Sequence, residues 1–321
     1  MKKKVFSMIA LLLMAATGAM AQTYSVTLKE GTEDAANWTI NPNPAAEGAE
    51  VTITYTGTKK VIGVKVEKKS EAVENAYLKW DADQKKLVAT EIPTTATTVE
   101  NADADVNWSA GTYVVEGEDV NITGNITLSG NVNLIIKDGA KLTANKIIGY
   151  NNNLSIYGQA NQKGQLVVDN PDDDAISSMK TLEVHSAKVT ATSSARDRGA
   201  IGYTGTINVY GGSVDATAKG DGYGIWLSTD DSMNIYGGEV KAVGKGTGGY
   251  SYGITAGSSA TLTVYGGQLW AGNADKQALN NITLTIDKSL GFNGEIQTSS
   301  DNSTWSETVG TPDSKYVRVG Y

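Results

Sequence analysis

Five stretches decide the fold: Leu154-Ser155-Ile156-Tyr157-Gly158, Leu182-Glu183-Val184-His185-Ser186, Ile207-Asn208-Val209-Tyr210-Gly211-Gly212, Met233-Asn234-Ile235-Tyr236-Gly237-Gly238 and Leu262-Thr263-Val264-Tyr265-Gly266-Gly267. They repeat one phrase, apolar-x-apolar-Tyr-Gly-Gly, and successive Tyr or His positions lie 28, 25, 26 and 29 residues apart. A period of that length fits one turn of a β-helix and is too variable for a coiled coil. Residues two apart on a strand point the same way, so Ile207 and Val209 face the inside of the coil and Tyr210 faces out. Gly211-Gly212 makes the corner, and Val214 with Ala216 returns inward on the next side. A second phrase, Gly199-Ala200-Ile201-Gly202, Gly222-Tyr223-Gly224-Ile225 and Tyr252-Gly253-Ile254, adds one inward aliphatic residue per turn.

Working outward, degenerate coils precede the clear ones (Val120-Asn121-Ile122, Ile126-Thr127-Leu128, Leu134-Ile135-Ile136), and Ile282-Thr283-Leu284-Thr285-Ile286 supplies a last one. Residues 97–290 therefore read as a stack of about eight coils, and 291–321, with Trp305 and Tyr316-Val317-Arg318-Val319, as its C-terminal cap. Residues 22–69 have a different grammar. Short alternating strands (Tyr24-Ser25-Val26-Thr27-Leu28, Trp38-Thr39-Ile40, Val51-Thr52-Ile53-Thr54-Tyr55 and Val61-Ile62-Gly63-Val64-Lys65-Val66) alternate with turn clusters, which predicts a small antiparallel β-module. Residues 70–96 are a linker or the completion of that module. At the start, Lys2, Lys3 and Lys4 precede an apolar run ending in Ala19-Met20-Ala21, the pattern of a signal peptide over residues 1–21. The mature chain is then expected outside the cytoplasm, in the periplasm, at the cell surface or secreted. No later stretch is apolar enough for a membrane helix.

Composition narrows the chemistry. The formal net charge is −8, which makes nucleic acid an unexpected partner. There are 36 Gly and 15 Tyr but one His and no Cys, so thiolate sites, disulfides and metal sites built on several imidazoles cannot be assembled. Stacked in register, Tyr157, His185, Tyr210, Tyr236 and Tyr265 would form an outward ladder on which pyranose rings could lie, or one that simply shields the corner by ring-on-ring packing. A less regular aromatic set, Tyr223, Trp226, Tyr250, Tyr252 and Trp270, falls between the phrases, where insertions on a solenoid carry binding functions. Asp172, Asp173 and Asp174 repel one another unless a cation or water lies among them, and calcium suits such oxygen ligands. Asp is also an ordinary turn residue, and the spacing is not that of a known calcium loop.

The stretches YSVTLKEGTEDAANWTINP and GAEVTITYTGTKKVIGVKV resemble N-terminal modules of Bacteroidetes secreted proteins related to internalin B repeats, which implies a spacer or adhesion role. NWSAGTYVVEGEDVNITGNITLSGNVNLIIKDGAKLTA and the IYGG phrases after it resemble β-helical carbohydrate-binding domains of secreted bacterial proteins in the pectate-lyase-like superfamily. That resemblance covers residues 97–290. It implies a right-handed parallel β-helix and binding of polysaccharide, particularly acidic glycans, with calcium in some members. Cleavage is the rival reading. A lyase needs calcium and a Lys or Arg base, and a hydrolase needs paired carboxylates. Arg196, Arg198 and the three aspartates are components of such a site, but His185 lacks the Gly-His-Gly setting of polygalacturonases and nothing fixes a base beside the acids. The expectation is an all-β protein that binds polysaccharide without catalysis. A lyase or hydrolase of uronate glycans and a surface adhesin for protein partners are the alternatives.

Overall fold

A computed structural model of the chain describes residues 6–8, 23–24, 37–41, 45–46, 52–57 and 75–320, except 248, 250 and 309–313. The chain divides into two units, Met1–Val73 and Glu74–Tyr321. In the first, Trp38–Asn41 pairs antiparallel with Thr52–Tyr55, and Thr23–Tyr24 with Ala45–Ala46. Both pairings are antiparallel, as the alternating sequence predicts, but each joins strands that are not consecutive in the chain; the expected strand at 61–66 lies outside the described residues.

The second unit is a β-solenoid of about seven turns. Its strands stack in parallel on three faces. Face A carries the repeated phrase: Gly111–Val115, Val132–Ile136, Asn153–Gly158, Thr181–Val184, Thr206–Val209, Ser232–Ile235 and the later parts of Ile254–Val264 and Leu279–Ile286. Face B takes the first parts of Val120–Leu128 and Lys141–Ile148, then Gln165–Asn170, Lys188–Ser193, Ser213–Ala218, Glu239–Val243 and Gln268–Gly272. Face C takes the remainder of the two long early strands, then Ile176–Ser177, Gly199–Thr204, Tyr223–Leu227 and the opening of Ile254–Val264.

The five phrases sit one above another: Leu154 is opposite Leu182, Leu182 opposite Ile207, Ile207 opposite Met233 and Met233 opposite Leu262. All five side chains are buried. The alternation of the strands makes the rest of the core follow. Face B contributes an inner file of Val189, Val214, Val240 and Leu269, and face C the file Ile147, Ile176, Ile201, Ile225 and Ile254. Because every strand bonds to the coil above and below, no single coil is a stable object.

The paired glycines divide the work at the corner. The second one turns the chain with positive φ, +66° at Gly212 and +75° at both Gly238 and Gly267, a region that L side chains avoid. The first one lets coils approach: a Cβ on Gly237 would lie 2.7 Å from the carbonyl oxygen of Tyr210.

The C-terminal segment closes face B. Tyr316–Val319 pairs antiparallel with Gln268–Gly272 and with Ile296–Ser299, placing Val317 and Val319 on the end of the core. This covers strand edges that would otherwise invite association. No helix among the described residues is long and apolar enough to cross a membrane.

Within residues 70–96, those from 75 onward are described and carry structure of their own. Ala76–Asp81 and Lys86–Glu91 form an antiparallel hairpin, with Ala76 opposite Glu91 and Asp81 opposite Lys86, and the hairpin belongs to the solenoid unit. It lies on the outer side of face A. There Ile92, Val114, Ile135 and Tyr157 make a small second core, joined by Tyr77.

Candidate functional site

The aromatic ladder exists. Successive ring centroids are 4.4 Å (Tyr157 to His185), 4.7 Å (His185 to Tyr210), 5.0 Å (Tyr210 to Tyr236) and 4.6 Å (Tyr236 to Tyr265), with interplanar angles of 8–24°. Coil spacing sets this distance, since strands in a sheet lie about 4.8 Å apart. Much of the ladder is not open to a ligand, however, because the hairpin lies on it. Trp80 stacks on Tyr210 at 5.2 Å and 17° and tilts over Tyr236 at 5.5 Å. Tyr77 meets Tyr157 edge-on at 4.7 Å. Burial pushes the Tyr157 hydroxyl up to about 12 and the Tyr210 hydroxyl well above its ordinary value. Of the expected ladder contacts, Tyr210 and Tyr236 touch the chain's own Trp80, and Tyr265 stacks on Tyr236 at the end of the file.

Solenoid side chains also hold the backbone of the covering strand. Gln159 Nε2 donates to the Ala76 carbonyl at 3.1 Å, Ser186 Oγ donates to the Leu78 carbonyl at 3.0 Å, and the Trp80 N–H donates to His185 Nδ1 at 3.0 Å. Alternate residues of one strand edge are thus met by three side chains from neighbouring coils, in place of another strand. His185-Ser186-Ala187 replaces all three residues of the Tyr-Gly-Gly phrase, and the first two of these, His185 and Ser186, are two of the three side chains that grip the hairpin.

Because Nδ1 accepts, the imidazole is neutral with its proton on Nε2, which faces Glu183 Oε2 at 3.6 Å. Burial lowers the pKa of His185. The facing imidazole, together with the Ser155 hydroxyl at 2.8 Å, holds the Glu183 carboxyl down at about 2.

The second aromatic set does not form one surface. Tyr223 and Trp226 lie in a strand of face C and Trp270 in a strand of face B, rather than in loops. Tyr223 is 2 % exposed; its ring fills the space over Gly199, and burial raises its pKa. It is a core residue, contrary to the expectation of a ligand contact. Trp226 points outward beside buried Ile225 and Leu227 and is met edge-on by Tyr203 at 3.8 Å. Tyr252 carries the Lys276 ammonium 5.3 Å above its ring, and Tyr250 lies outside the described residues.

Trp270 stands in richer company. It projects outward between buried Leu269 and Ala271, with Arg318 as its cross-strand neighbour. Tyr316 is 5.8 Å away and Asn302 Oδ1 accepts from the indole N–H at 3.3 Å. The Arg318 guanidinium lies 4.0 Å over the ring of Trp305 and donates from Nε to Gln297 Oε1 at 2.7 Å. Two half-exposed indoles from separate segments and a guanidinium therefore share the outer side of the terminal sheet.

The three aspartates are largely engaged by protein groups. Burial works against the charged form of Asp173, but Lys146, the Asp174 N–H and Arg198 (Nε at 3.2 Å) outweigh it and hold its pKa below the ordinary range. Asp174 turns inward and accepts from the Gly199 N–H at 2.6 Å; burial raises its pKa. Asp172 donates its backbone N–H to Asn170 Oδ1 in the same turn. Among the described residues no three His, Asp or Glu side chains are arranged to hold a metal ion.

Two residues that the reading of the repeats passed over are, among the described residues, the most exposed large apolar side chains: Tyr150 at 66 % and Tyr203 at 41 %. Both have positive φ, +45° and +49°, where a bulky residue is strained by roughly 1–2 kcal/mol. The available signal was a tyrosine where a coil corner calls for Asn, Asp or Gly. No protein-family model, curated protein or solved structure matches this chain.

Proposed function

We propose that this protein binds polysaccharide without cleaving it, through the Trp270, Trp305, Tyr316 and Arg318 cluster on the outer side of face B. A β-solenoid suits polysaccharide-related and adhesin-type roles alike, and fold does not choose between them. The observation that carries the glycan reading is the pair of half-exposed indoles, neither of which is a core residue, brought together by the antiparallel closure of the solenoid end. Flat aromatic faces take the C–H side of a pyranose ring, while Asn302 and Gln297 offer hydrogen bonds at its edge. Arg318 adds a cation for acidic sugars, and calcium would assist such binding where carboxylates must be bridged.

The test is affinity electrophoresis through gels containing methyl-esterified pectin or polygalacturonate, with and without chelator. Retention is expected to fall at least tenfold in Trp270→Ala and Trp305→Ala, with no unsaturated uronate absorbance from the wild type. Unchanged retention in both variants rejects the platform, and absorbance growth would replace binding by lyase chemistry.

A further inference from the structure

His185 is the chain's single histidine, and it stands where the hairpin meets the ladder. It takes the place of a tyrosine in the file, stacked between Tyr157 and Tyr210, and is 3 % exposed. Of the three side chains that hold the strand Ala76–Asp81, Gln159 and Ser186 donate to carbonyl oxygens. His185 alone of the three accepts, from the Trp80 N–H into Nδ1 at 3.0 Å. That bond lasts only while Nδ1 carries no proton, because a protonated imidazole is a donor at both nitrogens. On protonation one N–H would face another across the same gap. The amide and the hydroxyl hold their carbonyls at any ordinary pH, so the grip is titratable at one point, directly behind the Trp80 indole that packs on Tyr210 and Tyr236.

The charges around the imidazole are divided between cover and ladder. Glu183 lies two residues earlier on the same strand, with Oε2 3.6 Å from His185 Nε2, and holds its charge down to about 2. The hairpin brings Lys79, whose ammonium opposes a second positive charge, and Tyr77, which packs against Tyr157. The coils above and below bring the hydroxyls of Tyr157 and Tyr210. All three hydroxyls are raised by burial and stay neutral in acid. With the hairpin in place, burial and Lys79 outweigh Glu183 and His185 resists its proton. Lifting the hairpin removes the burial, the opposing N–H and Lys79 together, while Glu183 remains beside the ring because both belong to the solenoid. The uncovered form therefore takes the proton more readily, and a ligand that favours one of two forms shifts the population toward it.

We propose that the hairpin Ala76–Glu91 is a proton-operated cover: protonation of His185 sets a donor against the Trp80 N–H, lifts the covering strand and bares the aromatic ladder from Tyr157 to Tyr236. The device is separate from the Trp270 platform and does not depend on it.

The experiment is native-state hydrogen exchange on the full chain between pH 7.5 and 5, corrected for the intrinsic effect of pH on exchange. With the uncovered imidazole titrating at its ordinary value of 6.5, hairpin opening should rise at least about fivefold over this interval, and about 30-fold where the covered imidazole takes no proton at all. Amides of Thr206–Val209 and Ser232–Ile235 should keep their protection. In His185→Asn the amide oxygen occupies the place of Nδ1 and accepts at every pH, so the hairpin's opening should lose its acid limb. Glu183→Gln removes the counter-ion that stays with the ring, and the limb should move to lower pH. Hairpin exchange that does not change with pH in the wild type, an equal acid limb in His185→Asn, or loss of protection in the solenoid strands alongside the hairpin overturns the proposal. Should His185→Asn leave the hairpin open already at pH 7.5, Glu183→Gln decides: a limb that stays in place overturns the proposal, and one displaced to lower pH upholds it.

Discussion

Replacing Trp80 by Ala should detach the hairpin from the solenoid without unfolding the solenoid. Trp80 contacts two ladder rings, at 5.2 and 5.5 Å. Aromatic pairs contribute about 0.5–1.5 kcal/mol each beyond area burial, and removing a half-buried indole forfeits about 1 kcal/mol more of apolar burial. The total is about 2–4 kcal/mol. An isolated two-stranded hairpin is marginal in water, so the loss falls on local opening of Ala76–Glu91 rather than on the coils, whose core is separate. Native-state hydrogen exchange reads this directly. Amides of the two hairpin strands should exchange roughly 30- to 1000-fold faster, since each 1.4 kcal/mol is a factor of ten, while amides of Thr206–Val209 and Ser232–Ile235 keep their protection. Unchanged hairpin exchange would refute the view that the ladder is the hairpin's dock. Loss of protection throughout the solenoid would refute its independence from the hairpin.

The remaining predictions concern titration and the corners. His185 has a folded pKa below its ordinary 6.5, so the folded state binds its proton less readily than the unfolded chain; its stabilising effect is complete above about pH 6.5 and is lost as pH falls through that value toward the folded one. The thermal midpoint should therefore drop between pH 7 and 5 in the wild type and be flatter in His185→Asn, whose amide oxygen can still accept from Trp80; equal slopes would discount the imidazole. Glu183 acts in a lower window, its contribution disappearing between about 4.5 and about 2. Gly238→Ala should cost about 2–4 kcal/mol in denaturant unfolding, from the left-handed backbone penalty and the forced approach to the Gly212 carbonyl, 2.5 Å from the new Cβ. A cost below about 0.5 kcal/mol would mean the corner relaxes freely.

How much of this was legible beforehand depends on whether the signal repeats. The coil is, because Ile207, Met233 and Leu262 recur at the same place in the same phrase and one alternation rule orients them all. Outward residues of the strands were equally readable: Trp226 lies beside inward Ile225, and Trp270 between inward Leu269 and Ala271, so both are strand residues on outer faces. Assigning them to shared loops ignored that alternation. That they fall on different faces required the register, which is a property of the stack and not of any one coil. The hairpin's position was hidden because the sequence separation between Trp80 and His185 is large and no local pattern links them. Its trace was present all the same, in the replacement of Tyr-Gly-Gly by His185-Ser186-Ala187. The Trp270 and Trp305 pairing was hidden for the same reason, since the antiparallel return of Tyr316–Val319 brings it about.

The clamp on the covering strand grips main-chain groups of Ala76, Leu78 and Trp80. Apart from Tyr77 and Trp80, whose rings pack on the ladder, side chains of that strand such as exposed Lys79 are therefore free to drift over generations with little penalty. Its length is not. Adding or deleting a single residue between 76 and 80 would offer an amide where Ser186 seeks a carbonyl and swing the indole to the opposite side of the ribbon, so this segment should tolerate many substitutions and almost no insertions.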